Sequence, residues 1–125
     1  MRFLLDTHIA LWAIEGSLDK TAAQQIAEAD AVYVSAASLW EIAIKQALGK
    51  IKLSLSDLPE ALVASGFREL SVTWRHSIEV RNLPFLHKDP FDRLLLAQAM
   101  SEPLHFITSD AVLTAYSPLV IVVRR

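Results

Sequence analysis

The segment "HKDPFDRLLLAQA" at residues 87–99 predicts a helix that begins at the surface and runs into the core. Asp89 is a preferred N-cap residue, and Pro90 suits the first helical position because it has no N–H to leave unpaired. Asp92 shares a helical face with the leucines three and four positions later, which must be buried. An interaction with the helix dipole explains part of this placement. A carboxylate that points towards the core also needs a partner or a cation.

The composition predicts one globular domain, residues 1–125, since 53% of the residues are hydrophobic and only 21% are charged. The absence of cysteine excludes disulfides, thiolate zinc sites and cysteine nucleophiles. A formal charge of −2 by itself argues against a strongly basic nucleic-acid binder. No segment has the roughly 20 apolar residues needed to span a bilayer, so we expect a cytoplasmic protein with no membrane partner.

Apolar strands alternate with helical patterns along the chain. This alternation predicts an α/β fold with three layers, in which helices flank both faces of a central, mostly parallel β-sheet. A further short extended piece is predicted for "KIKLSL". The predicted strands are 2–6, 31–35, a weaker edge strand at 67–72, 104–110 and 119–123, and the predicted helices are 7–16, 20–30, 36–49, 56–66, 73–83, 89–99 and 111–116.

Four acidic residues are candidates for one site at the sheet edge. Asp6 and Asp110 end strands and Asp92 opens a helix, so all three can lie where the carboxyl ends of parallel strands meet. Glu41 lies about two turns into its helix and would have to reach back to that edge. Each residue also has a structural alternative, as a cap or turn former or, for Glu41, as an ion pair with Lys45.

Clustered carboxylates repel one another unless a cation lies between them. Mg²⁺ or Mn²⁺ would relieve this repulsion, because both prefer oxygen ligands. Such sites hydrolyse phosphodiester bonds with one ion, or with two ions roughly 3.5–4 Å apart. The sequence therefore predicts a metal-dependent hydrolase.

Four segments, spread in order over nearly the whole chain, resemble the PIN-domain ribonucleases and specifically the VapC-type toxins of toxin–antitoxin pairs. The resemblance implies an RNA substrate and a metal site formed by four acids. Asp6 and Asp92 would be direct ligands, and Glu41 and Asp110 would complete the site through waters or a second ion. It also implies a small VapB-like antitoxin and a homodimer, with a higher toxin–antitoxin assembly as a further option. The segments are "FLLDTHIALW", "VSAASLWEIAIKQALGKI", "HKDPFDRLLLAQA" and "FITSDAVLTAY".

The other polar residues receive structural interpretations first. Asp89 is kept as the helix cap, and Thr7, Thr108 and Ser109 are candidates for positioning water or phosphate. The histidines are not at metal-ligand spacing, and a lone histidine is usually structural, so none is favoured as a general base. They are His8, His76, His87 and His105. The tryptophans are expected in the core or an interface: Trp12, Trp40 and Trp74. The following cations are surface residues by default and RNA contacts as the alternative: Arg68, Arg75, Arg81, Arg93, Lys50 and Lys52.

Three rival functions remain. An aspartyl-phosphate protein is disfavoured, because His8 stands where a phosphatase would have its second aspartate. A partner-binding module without catalysis is disfavoured by the presence of all four acids. A DNA-directed nuclease shares the chemistry, but a chain of this length leaves little room for DNA-gripping elements.

Overall fold

A five-stranded, fully parallel sheet organises the computed structural model, which describes residues 1–51 and 54–125. The strand order is β3-β2-β1-β4-β5, so the first strand lies at the centre. The parallel three-layer α/β/α prediction is confirmed, and "FRELSV" does form an edge strand. The strands are β1 (Arg2–Leu5), β2 (Ala31–Ser35), β3 (Arg68–Leu70), β4 (His105–Thr108) and β5 (Val120–Val122).

Six α-helices and two 3₁₀ helices connect these strands within the described residues. The α-helices are α1 (Thr7–Glu15), α2 (Lys20–Ala27), α3 (Ala36–Ala47), α4 (Leu58–Ala64), α5 (Trp74–Glu79) and α6 (Pro90–Ser101). The 3₁₀ helices are Val80–Asn82 and Ala111–Ala115.

The core has two parts, one on each face of the sheet. Successive side chains of a strand point to opposite faces. Phe3 and Leu5 accordingly join the cluster beneath α1, α2 and α4, whereas Leu4 joins the cluster beneath α6. Leu4 and Leu5 are fully buried, as expected for a central parallel strand.

Helix caps follow the sequence signals in two cases and not in a third. The Asp89 carboxylate accepts hydrogen bonds from the backbone N–H groups of Phe91 (2.8 Å) and Asp92 (3.3 Å), and Ser35 caps α3. The prediction of Ser56 as the cap of α4 is wrong. Asp57 holds the N-cap position without a side-chain hydrogen bond, because the turn preceding the helix extends through it.

Some predicted helices are shorter or tighter in the structure. Helix α2 ends at Ala27, and the predicted 73–83 helix continues beyond Glu79 only as a 3₁₀ turn. The predicted helix after β4 is also a 3₁₀ helix. The "KIKLSL" segment contains Lys52 and Leu53, which lie outside the described residues.

The orientation of α3 differs from its apolar pattern. Glu41 is 4% exposed, while Trp40 is 61% exposed and Leu48 64% exposed. The small residues Ala37 and Ser38 are buried instead. Polar partners compensate for the burial of Glu41. Because the Glu41 side of α3 faces the protein, its more apolar side faces outward. Trp40 and also Trp74, which is 90% exposed, are therefore not core residues.

No helix within the described ranges is both long enough and apolar enough to cross a membrane.

Candidate metal centre

The strand order creates a crevice between β1 and β4. From β1 the chain adds β2 and β3 on one side, and then returns to add β4 and β5 on the other side. Connections therefore leave the two central strands in opposite directions, and ligands of open parallel sheets bind at the carboxyl ends beside such a switch point. Asp6 follows β1 there, and Thr108 ends the neighbouring β4.

Asp6 is held rigidly in this crevice and is 6% exposed. One carboxylate oxygen accepts a hydrogen bond from the Thr7 backbone N–H at 2.7 Å, and the other accepts one from the Thr108 hydroxyl at 2.8 Å. Burial raises the pKa of Asp6 above its ordinary value, although the hydrogen bonds from Thr108 and Thr7 oppose the rise. Thr7 and Thr108 therefore both donate hydrogen bonds to the carboxylate of Asp6, a candidate ligand from the sequence.

Glu41 does reach back to the crevice. The Thr7 hydroxyl donates to Glu41 Oε1 at 2.8 Å, and Lys45 Nζ lies 2.7 Å from Glu41 Oε2. The ion pair offered as the structural alternative thus exists together with the contact to the residue after Asp6. A hydrogen bond to Glu41 raises the pKa of Lys45, so a fixed positive charge stands beside the acids.

Asp92 is the acid without a partner. Its side chain is 18% exposed, and no hydrogen bond to its carboxylate is found among the described residues. Burial, followed by the charges of Asp6 and Asp89, raises the pKa of Asp92 to about 7. The imidazole of His87 lies beside it, with Nε2 at 3.5 Å from Asp92 Oδ2. The cap and dipole account of Asp92 therefore leaves its carboxylate unsatisfied.

Asp110 caps the 3₁₀ helix after β4 by accepting a hydrogen bond from the Val112 N–H at 3.0 Å. Its Oδ2 lies 3.3 Å from His87 Nε2. One ligand atom each from His87, Asp92 and Asp110 lies within 4.8 Å of the others. Asp110 is thereby connected to Asp92 through His87.

The sequence disfavoured His87, which the structure places beside Asp92 and Asp110. Its spacing to the acids is irregular because it lies in the loop before α6, where helical periodicity does not apply. The available signal was its position two residues before the cap Asp89, since a side chain there can fold back over the helix start. His76 instead lies against Glu102, with 2.6 Å between Nε2 and Oε2, and so serves α5 and α6.

Arg93 is not a surface contact for RNA phosphates. It is 6% exposed, and its guanidinium donates to the carbonyl oxygens of Val80, Leu83 and Pro84. Ser109 is exposed, whereas Thr108 is fully buried. Arg68, Arg75, Arg81 and Lys50 are exposed, and Lys52 lies outside the described residues.

The four candidate acids do not line the cavity at the opposite edge of the sheet. That cavity, of about 370 Å³, lies near the amino ends of β2 and β3 and is lined mainly by small and apolar residues. Asp6 and its partner Thr108 lie instead at the carboxyl ends of β1 and β4. The potential ligands there are carboxylate oxygens, which suit a hard divalent cation, together with the ring nitrogen of His87.

A five-stranded parallel α/β/α domain with an acidic crevice at its switch point is the class of protein defined by this structure. A family model described as the PIN domain matches residues 3–117, and the chain belongs to this family. PIN domains are typically nucleases that use divalent metals.

Solved structures with the same fold include three toxin–antitoxin complexes. VapBC2 from Rickettsia felis, bound to a promoter DNA fragment, is 18% identical with a TM-score of 0.71, covering 98% of this chain and 97% of the other. DNA-bound VapBC from Salmonella typhimurium is 15% identical with a TM-score of 0.69, covering 98% and 96%. A complex from Klebsiella pneumoniae is 18% identical with a TM-score of 0.64, covering 94% of each. No curated protein gave a match.

Proposed function

We propose that this protein is an Mg²⁺- or Mn²⁺-dependent endoribonuclease and the toxin of a toxin–antitoxin pair. The observation that carries the proposal is the unsatisfied carboxylate of Asp92. A half-buried acid that accepts no hydrogen bond within the described residues and lies near other acids is unfavourable in a purely structural role. A cation between these carboxylates would compensate for that cost.

The geometry supports distinct roles for the four acids. Asp6 and Asp92 are proposed as direct ligands, since the charge of Asp6 adds to burial in raising the pKa of Asp92, so the two carboxylates interact. Glu41 and Asp110 are proposed to complete the site through waters or a second ion. Glu41 already binds Thr7 and Lys45, which fits an indirect role. Asp110 is the more exposed acid and faces the mouth of the crevice through His87.

When bound, the cation supplies a nucleophile at neutral pH and stabilises the leaving oxygen of a phosphodiester. The chain supplies the position of these groups. Thr7 and Thr108 fix both oxygens of Asp6, and the Asp89 cap fixes the first turn of α6 that bears Asp92. Preorganised groups of this kind do not have to rearrange during the reaction.

RNA as substrate and an antitoxin as partner are supported by the resemblance to VapC-type toxins and by the toxin–antitoxin complexes that share the fold. Apolar side chains on the outer surface are consistent with an antitoxin and with a homodimer. These side chains include Trp40, Leu48, Phe85 and Leu86, which are 61%, 64%, 89% and 51% exposed. Trp40 also packs edge-on against Phe91 near the start of α6.

The test is cleavage of structured RNAs by purified protein, free of any antitoxin, with Mg²⁺ or Mn²⁺. Asp6→Asn and Asp92→Asn should each reduce cleavage by at least about a hundredfold, because each removes a negatively charged oxygen ligand. Asp57→Asn is the matched control, since Asp57 is exposed and lies at the start of α4. It should cleave as wild type does.

Cleavage that persists in EDTA, or in both site variants, would refute the metal mechanism. Single-stranded and duplex DNA should be tested in parallel, because preferential cleavage of DNA would replace the RNA assignment. Absence of any cleavage by the wild type, with metal binding unaffected by Asp92→Asn, would favour a partner-binding module.

The oligomeric state tests the proposed homodimer. Light scattering during size exclusion should give twice the chain mass of 13.9 kDa. Trp40→Ser is expected to weaken the dimer or the antitoxin complex while leaving the fold intact. A monomer at all concentrations would contradict the homodimer.

A further inference from the structure

His87 lies at the mouth of the acidic crevice, with its Nε2 near two of the acids. The distance from Nε2 to Asp92 Oδ2 is 3.5 Å, and the distance to Asp110 Oδ2 is 3.3 Å. The side chain is 24% exposed, so a ligand that enters the crevice can reach the ring. The four-acid proposal assigns this residue no role.

The other ring nitrogen fixes the direction of the imidazole. The backbone N–H of Asp89 donates to His87 Nδ1 at 3.0 Å. A backbone amide nitrogen can only donate, so Nδ1 accepts and the proton of the neutral ring is on Nε2. A nitrogen that carries a proton has no free lone pair for a metal ion. His87 therefore presents an N–H donor to the crevice, in contrast to a metal-binding histidine.

The Nε2–H group of His87 forms at most weak hydrogen bonds in the metal-free protein. Hydrogen bonds from N–H to oxygen have a typical length of about 2.9–3.0 Å, and both distances from His87 Nε2 are longer. A cation at the proposed site would partly neutralise the charge of the nearby carboxylates, including Asp92. The N–H of His87 would then face whichever anionic oxygen lies beside the cation.

The loop that bears His87 is held in place from below. Arg93 donates to the carbonyl oxygens of Leu83 (3.3 Å) and Pro84 (2.8 Å), and its guanidinium lies over the ring of Phe85. The Leu86 N–H donates to the hydroxyl of Tyr116 at 3.2 Å. The Nε2–H donor of His87 is thus preorganised, so a ligand would bind it with little loss of conformational entropy.

We propose that His87 Nε2–H donates a hydrogen bond to a non-bridging oxygen of the scissile phosphate, beside the proposed metal site. The inference rests on the proposed function, because it names a substrate contact of the same site. His87 binds the substrate in this arrangement and is not a metal ligand.

The first experiment uses Mn²⁺ and inorganic phosphate as probes, without RNA. Mn²⁺ affinity is measured by calorimetry, and phosphate binding to the Mn²⁺-loaded protein is measured by ³¹P line broadening. His87→Ala should weaken phosphate binding by about tenfold, the value of one hydrogen bond to a charged group, and should leave Mn²⁺ affinity within about threefold. His87→Gln retains an N–H donor and should restore part of the phosphate affinity.

His105→Ala is the matched control, since His105 begins β4 at the end opposite to the acids. It should change neither affinity. Two results would overturn the proposal: unchanged phosphate binding in His87→Ala, or a tenfold loss of Mn²⁺ affinity together with a ¹⁴N coupling from imidazole in the pulsed EPR spectrum of the wild-type Mn²⁺ complex. The second result would make His87 a metal ligand.

RNA kinetics separate this inference from the proposed function. If the wild type cleaves RNA with metal and Asp92→Asn does not, the nuclease proposal stands. His87→Ala should then raise KM or lower kcat/KM by about tenfold, and unchanged kinetics would overturn the inference alone. If the wild type binds neither Mn²⁺ nor phosphate, both proposals fail.

Discussion

Replacing Asp92 by asparagine tests whether the acidic crevice lowers the stability of the metal-free protein. The folded chain raises the pKa of this carboxyl from 3.8 to about 7, mainly through burial and then through the charge of Asp6. That difference corresponds to a destabilisation of up to about 4 kcal/mol once the group is ionised. Asparagine keeps the shape and removes the charge.

The sign of the pH dependence follows from proton binding. Because the pKa of Asp92 is higher in the folded than in the unfolded chain, the folded chain binds more protons between about pH 4 and pH 7. Asp92 therefore contributes no destabilisation below about pH 4. As the pH rises through about 7 the destabilisation reaches its full value. Asp92→Asn should remove this part of the pH dependence.

The assay is urea denaturation in EDTA at pH 4.5 and pH 8. At pH 8 the variant should be more stable than the wild type by about 1–3 kcal/mol, since asparagine also loses about 0.3–1 kcal/mol of interaction with the helix dipole. At pH 4.5 the two should differ much less. Asp57→Asn should show no such gain. Equal stability of Asp92→Asn and wild type at pH 8 would refute the reasoning.

Four further variants test other parts of the structure by urea denaturation. Arg93→Met should destabilise by about 2–4 kcal/mol, because buried carbonyl oxygens lose their donor, and a loss below about 1 kcal/mol would contradict this role. Thr108→Val removes a hydrogen bond that favours the charged form of Asp6, so we expect a loss of about 1–2 kcal/mol at pH 8 that shrinks on acidification in EDTA. Lys45→Met should cost about 2 kcal/mol by leaving a buried glutamate unpaired. Trp74→Ser should stay within about 0.5 kcal/mol of wild type, and a larger change would show that its exposed ring is packed.

The fold could be predicted because local signals and the global architecture agree. Continuous apolar runs such as Leu4–Leu5 in β1 are typical of strands buried on both faces, and Ser35 and Asp89 mark helix starts without tertiary help. Strand order could not be predicted in this way. No local pattern states that β4 returns to pair with β1, although that pairing brings Thr108 to Asp6.

The sequence indicated the candidate acids but not the side chains that surround them. Strand ends and the helix start indicated a common edge for Asp6, Asp92 and Asp110. The burial of Glu41 was obscured because α3 has a more apolar face on the outside. Helical periodicity shows which face of a helix is apolar, but it does not show whether that face is buried in the core or exposed on the surface. The position of His87 could not be predicted, because residues in a loop show no regular hydrophobic periodicity.

The structural and chemical explanations of the acids are not exclusive in this molecule. Asp6, Asp89 and Asp110 all cap helices, and Glu41 forms an ion pair. Those contacts hold the backbone and stabilise the charges that they touch, which allows several carboxylates to approach one crevice. Asp92 accepts no hydrogen bond among the described residues, and burial, followed by the charges of Asp6 and Asp89, raises its pKa although His87 opposes the rise. A cation beside Asp92 would offset the cost of this buried charge, so removing the charge should stabilise the metal-free protein while reducing its affinity for metal.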